Sequence, residues 1–222
     1  MVILESIILA AGYCSRFNFK DSSYKKYMLP LERSNILNYI IVAMKNAGIN
    51  KVNIIIDNNV DISIITKSFN HFVEKIKIKP PEIHFIENNF PGRENGYSLY
   101  LGSREISSKS FILSMADHVF SDNIYSFLIN KYTNEDIMLA TDPMKITGIY
   151  DLEDCTKVFG ENLKIMKIGK EIHNYNRLDM GVFMMKSKII KEITEKIEKK
   201  KDPRHEAHYP CRNRPAVWAV TS

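Results

Sequence analysis

Short apolar runs alternate with amphipathic segments along the first two thirds of the chain. Five of the apolar runs, SIILA, KVNIII, EIHFIE, SFILSM and DIMLAT, are typical of strands buried on both faces of a parallel sheet. The segments between them predict helices, including SNILNYIIVAMKNAG, which Ser34 or Asn35 would cap and Gly48 would end. This order indicates an α/β fold, with a Rossmann-like, mostly parallel sheet and helices on both faces.

The last third of the chain has a different pattern. Three short segments, TKVFG, LKIMKIG and DMGVFMM, predict strands with few helices between them. We expect them to form a small mixed or antiparallel layer at the far edge of the sheet. A helix, SKIIKEITEKIEKKK, follows. From Arg204 to Ser222 the composition changes, since this segment has no Ile and no Lys but three Arg.

Composition and charge exclude several classes of protein. The 222 residues, 45% hydrophobic and 26% charged, suit one large globular domain. The net charge of +5 is spread along the chain and does not indicate nucleic-acid binding. No apolar stretch approaches the roughly 18 residues of a spanning helix, and MVILES lacks the basic start of a signal peptide. We therefore expect a cytoplasmic protein without membrane insertion, in which three widely spaced cysteines are reduced.

The first strand runs into a loop with very small side chains. Ala10, Ala11 and Gly12 follow the apolar run, and Arg16 comes four positions after the glycine. Small residues let the backbone approach a flat or charged ligand, and exposed N–H groups in such a turn can bind phosphate oxygens. Arg16 would then neutralise the anion. The residues alone leave open a plain turn with a surface arginine.

The ends of strands one, three and four carry the candidate chemistry, because ligands of open α/β sheets bind at the carboxyl ends of the strands. These ends read AAGYCSR, ENNFPGRENGYS and ADHVFSD. The first resembles the opening motif of the sugar-phosphate nucleotidyltransferases, Leu-Ala-Ala-Gly-x-Gly-Ser/Thr-Arg followed by Pro-Lys. Cys14 departs from its second glycine and Lys25 from its proline, and alignment through MLPL places the family lysine on Lys26.

Further segments narrow the resemblance. ENGYSL, MADHVFS, DLEDCTKV and KIGKEIHNYNRLDMGVF are similar to the CTP:inositol-1-phosphate cytidylyltransferases of the MobA-like NTP transferase superfamily, from about residue 5 to residue 187. The resemblance implies transfer of a cytidylyl group from CTP to inositol 1-phosphate, which gives CDP-inositol and pyrophosphate. It also implies Mg²⁺ as the cofactor and a role in making inositol lipids or compatible solutes.

The resemblance assigns roles to particular residues. Arg16, Lys26 and Asp117 would be catalytic, and Asp117 would hold Mg²⁺, which prefers oxygen ligands. His118 would orient the loop or touch the substrate, with a purely structural histidine as the alternative. The expected nucleotide-binding set is Leu9, Ala10, Ala11, Gly12, Asn95 and Ser98.

Two residues would bind the acceptor. Lys170 matches the lysine that grips the acceptor phosphate, and Asp179 matches a position that contacts sugar hydroxyls. A carboxylate suits a vicinal diol because it accepts two hydrogen bonds. Lys157 is a weaker candidate. A surface lysine and a β-bulge aspartate are the structural alternatives for Lys170 and Asp179.

The resemblance also predicts the domain organisation. Residues 1–203 would form a single domain, with a nucleotide-binding part at 1–142 and an acceptor-binding part at 143–203 that contains the substrate-side strand layer. The superfamily usually ends with a Trp-x-Asp-x-Asp-Thr-like strand that supplies a second metal carboxylate, whereas AVWAVTS has none. We expect residues 204–222 to be a non-native replacement, poorly ordered or packed without regular structure. The alternative is a divergent native terminus, in which Asp179 or another carboxylate serves.

Several functional alternatives stay open. The acceptor could be another sugar phosphate or phosphocholine, or the protein could bind nucleotides without catalysis. A dinucleotide-dependent oxidoreductase is disfavoured because no Gly-x-Gly-x-x-Gly follows strand one. The expected partners are CTP and a phosphorylated polyol, with no nucleic acid. A homodimer and a downstream membrane CDP-alcohol transferase are the further partners that we consider.

Overall fold

A computed structural model describes residues 4–12, 25–120, 123–144, 151–198 and 217–221. Within these residues the strands are β1 Leu4–Ala10, β2 Pro30–Leu31, β3 Ser34–Asn35, β4 Ile49–Asp57, β5 Glu82–Asn88, β6 Ser110–Met115, β7 Ile137–Asp142, β8 Lys157–Glu161, β9 Lys164–Gly169, β10 Arg177–Lys186 and β11 Val217–Thr221. The helices are α1 Ile36–Asn46, α2 Ile62–Ile76, α3 Glu94–Arg104, α4 Ile124–Lys131 and α5 Ser187–Glu198. Every strand and helix predicted from the apolar pattern coincides with one of these elements.

Nine of the strands form one continuous sheet in the described part of the chain, in the order β5-β4-β1-β6-β10-β7-β11-β9-β8. β1 pairs in parallel with β4 and β6, β4 with β5, and β7 with β11. β10 runs antiparallel to both β6 and β7. The sheet is therefore mostly parallel, which confirms the predicted Rossmann-like α/β class.

The expected position of β10 was wrong. β8 and β9 lie at the far edge of the sheet as an antiparallel pair, as predicted. β10 instead lies inside the main sheet, between β6 and β7. Its central residues are buried on both faces, as the neighbouring residues Met184 and Met185 show, since they belong to different hydrophobic cores. The apolar pattern signalled this burial, but burial alone does not specify which strands are neighbours.

Two hydrophobic cores explain why β1 is apolar without interruption. Successive side chains of a strand point to opposite faces of a sheet. Ile8 accordingly belongs to a core with residues of α1, α2 and α4, while Ile7 belongs to a second core with residues of α3 and α5. The predicted helices on both faces are confirmed. Within the described segments, no helix is both long enough and apolar enough to span a membrane.

Helix α3 packs very closely on the strands that precede the candidate site. A Cβ at Gly102 would lie 2.9 Å from Cγ2 of Ile7 and 3.1 Å from Cδ1 of Ile55. Any larger residue would push the helix off β1 and β4, because carbon atoms normally pack about 3.5–4.0 Å apart. This glycine fixes the depth of α3 and with it the position of Asn95 in its first turn.

The chain terminus differs from the expectation in one respect. Val217–Thr221 forms β11, which pairs in parallel with β7 along its whole length and touches β9 through Trp218 and Lys164. The expectation that the tail lacks regular structure is therefore wrong for Val217–Thr221. Residues 204–216 and Ser222 lie outside the described residues. Whether the tail is native, and the division of the domain at residue 142, stay predictions.

A buried carboxylate ties together the amino-terminal end of the sheet. Glu5 is 1% exposed. It accepts hydrogen bonds from the backbone N–H and the hydroxyl of Ser107 and of Ser108, at 2.7–3.2 Å. Lys51 lies 3.8 Å away. Burial pushes the pKa of Glu5 upward, but these hydrogen bonds outweigh it and leave the pKa below its ordinary value of 4.5.

Glu5→Gln should destabilise the protein by about 1–3 kcal/mol at neutral pH, because an amide replaces a charged acceptor of four hydrogen bonds. Since the folded-state pKa is lowered, the contribution of the carboxylate is complete above about pH 4.5 and is lost as the pH falls through the folded-state pKa. Urea unfolding at pH 7 and pH 3 measures it. The difference in unfolding free energy between Glu5→Gln and wild type should shrink at pH 3. Glu74→Gln, at an exposed position of α2, should change stability little at either pH.

Candidate active site

The carboxyl ends of the parallel strands meet at one edge of the sheet, and a cleft of about 770 Å³ opens there. It lies between the loops after β1 and β6, the first turn of α3, the segment before β8, the turn after β9, and β10. Seven of the residues predicted for the site line this cleft: Leu9, Gly12, Lys26, Asn95, Asp117, Lys170 and Asp179. The fold therefore brings together side chains that are as much as 170 positions apart in the chain.

Three predicted residues do not line this cleft. Ala11 packs in the second core. Ala10 lies in the first core and lines a smaller adjoining pocket. Ser98 is 4% exposed and accepts a hydrogen bond from the Asn88 amide at 3.0 Å, which links β5 to α3. Arg16 lies outside the described residues.

Asp117 and His118 form a close polar pair in the cleft. Nδ1 of His118 lies 2.8 Å from Oδ1 of Asp117. This hydrogen bond, with the charges of Asp117 and Asp179, raises the pKa of His118 despite its burial. The same bond, together with the charges of His118 and Lys26, lowers the pKa of Asp117. Asp117 is therefore a carboxylate whose ionised form is favoured by His118 and Lys26.

Asp179 is held in the cleft by an irregularity of β10. The register with β7 shifts between Asp179 and Phe183. Gly181 lies in this stretch with φ +68°, and its N–H donates to Oδ1 of Asp179 at 2.6 Å. Burial raises the pKa of Asp179, although the Gly181 hydrogen bond and the charge of His118 oppose the rise. A partly desolvated carboxylate thus faces the Asp117–His118 pair.

The two neighbouring lysines of the KKY segment have different environments. Lys26 lines the cleft. Lys25 is 6% exposed, and its ammonium lies 2.9 Å from the Asp57 carboxylate in the interior. Only Lys26 can therefore face a ligand in the cleft.

The far end of the cleft holds a second set of polar side chains. Lys170 donates to Oδ1 of Asp154 at 2.9 Å, and both side chains are 45% exposed. Lys157 donates a hydrogen bond to the backbone carbonyl of Lys170 at 2.7 Å, which helps to fix the position of Lys170. Asp151, Asp154 and Thr156 line the cleft but were not singled out from the sequence. Their only sequence signal was the DLEDCTKV segment, which carried the resemblance as a block.

A Rossmann-like sheet with lysines and carboxylates at the carboxyl ends of its strands defines a site for a phosphorylated ligand. The comparison with protein families makes the class definite. The MobA-like NTP transferase domain matches residues 6–157, which is more than half of the chain. The chain belongs to this family of nucleotidyltransferases.

Individual relatives agree with the family. A Thermococcus kodakarensis protein named bifunctional IPC transferase and DIPP synthase is 27% identical over 202 residues, which are 91% of this chain but 42% of that protein. A Campylobacter jejuni protein named CTP:phosphoglutamine cytidylyltransferase is 24% identical over 202 residues, covering 86% of this chain and 76% of that protein. The chain thus spans less than half the length of the first relative.

Solved structures agree with the fold. The inositol-1-phosphate CTP transferase from T. maritima superposes with a TM-score of 0.71 at 19% identity, covering 100% of this chain and 86% of that chain. At this identity the similarity concerns the fold. With the relatives above, it supports the resemblance that the sequence motifs indicated.

Proposed function

We propose that the protein transfers a cytidylyl group from CTP to inositol 1-phosphate. A phosphate oxygen of the acceptor attacks the α-phosphorus of CTP, a new P–O bond forms, and the bond to the β-phosphate breaks. The products are CDP-inositol and pyrophosphate. The observation that carries this proposal is the single cleft, which joins Lys26, Asp117, Asp179 and Lys170.

The reaction brings two anions together, and the described lining of the cleft holds two lysines beside four aspartates, so the lysines and a bound cation would offset the repulsion together. Two unit charges about 4 Å apart repel by about 1 kcal/mol in water and about 4 kcal/mol at an effective dielectric near 20. Lys26 lies beside Asp117 on the side of the β1 loop, where the triphosphate would lie. Lys170 lies at the other end, where it would receive the acceptor phosphate. Positioning and electrostatics carry most of the catalysis in phosphoryl transfer.

Backbone and amide groups would bind the base. Leu9, Gly12 and Asn95 border both the main cleft and the smaller pocket beside it. The side-chain amide of Asn95 can donate and accept hydrogen bonds at the edge of a base. Because Ser98 is buried against Asn88, the direct contacts would come from this first turn and the β1 loop.

Asp117 and Asp179 would hold Mg²⁺. The donor set fits this ion, because both residues supply carboxylate oxygens to the same cleft. In the described part of the chain no group of three or more His, Cys, Asp or Glu is placed to bind a metal, and Mg²⁺ typically keeps several waters and binds substrate phosphates. When bound, the ion would neutralise charge on the triphosphate.

Asp179 is the best candidate for the second metal carboxylate. Asp179 lies opposite Thr141, and Thr141 lies opposite Thr221 at the end of β11. A carboxylate on β11 would therefore reach the same edge of the sheet as Asp179. Since Val217–Thr221 has no acidic residue, Asp179 would take over that role. The expectation that a native terminus was replaced stays a prediction.

Lys170→Ala should raise the KM for the acceptor at least tenfold and change the KM for CTP little. The acceptor phosphate would lose its cation, while the nucleotide end of the cleft would keep its contacts. Steady-state kinetics with each substrate varied in turn measures this. Lys167→Ala on β9, the strand that ends just before Lys170, is the matched control, because Lys167 is exposed and does not line the cleft. Equal changes in both constants would contradict the acceptor role.

A second candidate is cytidylyl transfer to a different phosphorylated acceptor. The Campylobacter relative, of which this chain covers 76%, is named for phosphoglutamine rather than inositol phosphate. The carboxylates at the acceptor end would also attract a cationic acceptor such as phosphocholine, although Phe183 is the one Phe, Tyr or Trp in the described lining of the cleft. A quaternary ammonium group is normally bound by several aromatic faces.

A pyrophosphate-release assay tests the proposal and separates the candidates. CTP, UTP, ATP and GTP are each combined with inositol 1-phosphate, glucose 1-phosphate and phosphocholine. We expect release that is fastest with CTP and inositol 1-phosphate. Activity only with glucose 1-phosphate or phosphocholine would overturn the inositol assignment, and release only with another nucleotide would overturn the cytidylyl assignment.

A further inference from the structure

Lys25 and Asp57 form a buried ion pair that the proposed mechanism does not use. Lys25 is 6% exposed and Asp57 is 3% exposed, and the ammonium lies 2.9 Å from Oδ2 of the carboxylate. The other oxygen of Asp57 accepts hydrogen bonds from the backbone and side-chain amides of Asn59 at 2.8 and 2.9 Å. Burial pushes the pKa of Asp57 upward, but these bonds and Lys25 outweigh it, so the pKa is lowered. Both oxygens of this carboxylate, at the end of β4, thus accept hydrogen bonds.

This pair holds the short segment that carries Lys26. The carbonyl of Lys25 accepts a hydrogen bond from the N–H of Met28 at 2.9 Å, which closes a tight turn over Lys26–Met28. Tyr27, on the far side of Lys26, is 4% exposed in the first core. Lys26 therefore stands between two residues whose side chains are buried, and its own side chain lines the cleft.

We propose that the Lys25–Asp57 pair is a positioning device that holds Lys26 toward the substrate phosphates. This inference rests on the proposed role of Lys26. Lys25 begins the turn that carries Lys26, and its ammonium is bound to Asp57 at the end of β4, so the pair joins this turn to a strand of the sheet. Asp57 and Lys25 do not touch the cleft, and both act through Lys26.

The physical reason is the high cost of a buried charge without its partner. If Asp57 loses its charge, the Lys25 ammonium is driven toward water, and the turn beside it must move because the two residues are adjacent. Small displacements of a group that acts on a transition state lower turnover strongly. Lys25→Arg keeps the cation and should keep most of the turnover, whereas Lys25→Met should not.

A double-mutant cycle tests the inference. Asp57→Asn should lower kcat at least tenfold in the wild-type background and less than twofold in the Lys26→Ala background, because it acts only through Lys26. The charge-free pair Lys25→Met/Asp57→Asn, whose interior holds no unpaired charge, should fold and show the same loss of kcat. Thermal unfolding confirms folding of each variant. Glu5→Gln is the control, since this buried carboxylate lies at the opposite end of the sheet and should leave kcat unchanged.

The outcomes separate this inference from the proposed function. Additive losses of kcat in Asp57→Asn/Lys26→Ala, or wild-type kcat in Asp57→Asn and in the charge-free pair, would overturn the positioning role alone. Wild-type kcat in Lys26→Ala itself would overturn the role of Lys26 and the inference with it. A loss of kcat in Glu5→Gln equal to that in Asp57→Asn would also overturn the inference, because it would reduce the effect to general destabilisation.

Discussion

Asp117→Asn should lower kcat by more than tenfold, which corresponds to about 1.4 kcal/mol of transition-state stabilisation, while the fold stays intact. The residue follows β6 and carries its negative charge beside Lys26 and His118. An amide has the same shape but no charge, so it would bind Mg²⁺ poorly and leave the repulsion between the two phosphates uncompensated. Initial rates of pyrophosphate release at saturating CTP measure the loss.

The matched control for this variant is Asp136→Asn. Asp136 precedes β7, at the opposite end of the sheet, and pairs with Lys186 at 3.0 Å. Its loss should change stability slightly and turnover not at all, since exposed ion pairs contribute about 0–1 kcal/mol. If purified and folded Asp117→Asn retains more than about a tenth of the wild-type rate, Asp117 is not the metal ligand.

Gly181→Ala should impair both stability and catalysis. The backbone at Gly181 has φ +68°, and an added Cβ would lie 2.8 Å from Cγ of Met115. We expect a loss of about 1–3 kcal/mol in stability, since non-glycine residues are strained there. The N–H of Gly181 also holds the Asp179 carboxylate, so a shift of this backbone moves a proposed metal ligand. Turnover should therefore fall by more than tenfold.

Gly169→Ala serves as the control for Gly181→Ala. A Cβ at Gly169 would meet only Cγ2 of Ile172, at 4.0 Å, which is an ordinary contact. Chemical denaturation and steady-state kinetics on both variants separate the two effects. Wild-type turnover in Gly181→Ala at a temperature where it is folded would contradict the proposed link between this bulge and Asp179.

Much of the fold was predictable because its elements have strong local signals. The unbroken apolar run of β1 predicted a strand buried on both faces, and the two cores beside Ile7 and Ile8 confirm it. Ser34 or Asn35 was predicted as the cap of α1, and the structure shows that the side chain of Asn35 accepts a hydrogen bond from the N–H of Asn38 at 3.0 Å. The order of the strands was less accessible. β10 and β11 are placed by long-range pairing, which no local pattern records.

The candidate site was predictable where a motif ends a strand. Asp117 is the second residue after the end of β6, and the structure places it in the cleft with Lys26. Ser98 shows the limit of this reasoning. A serine near the start of a helix can form a hydrogen bond with a ligand or with a neighbouring side chain, and here the Asn88 amide donates a hydrogen bond to it. Asp154 and Asp57 were missed because each forms an ion pair with a lysine that is distant in the sequence. The lysine is 16 positions away for Asp154 and 32 positions away for Asp57.

The most direct measurement is the identity of the product formed from CTP and inositol 1-phosphate. Phosphorus NMR of the reaction, with Mg²⁺ present, distinguishes a nucleotide–polyol diphosphate from free CTP and pyrophosphate. We predict equal amounts of CDP-inositol and pyrophosphate with the wild-type protein and almost none with Asp117→Asn. CTP that binds the wild-type protein and stays intact with inositol 1-phosphate, glucose 1-phosphate and phosphocholine alike would contradict the account and indicate a nucleotide-binding protein without transferase activity.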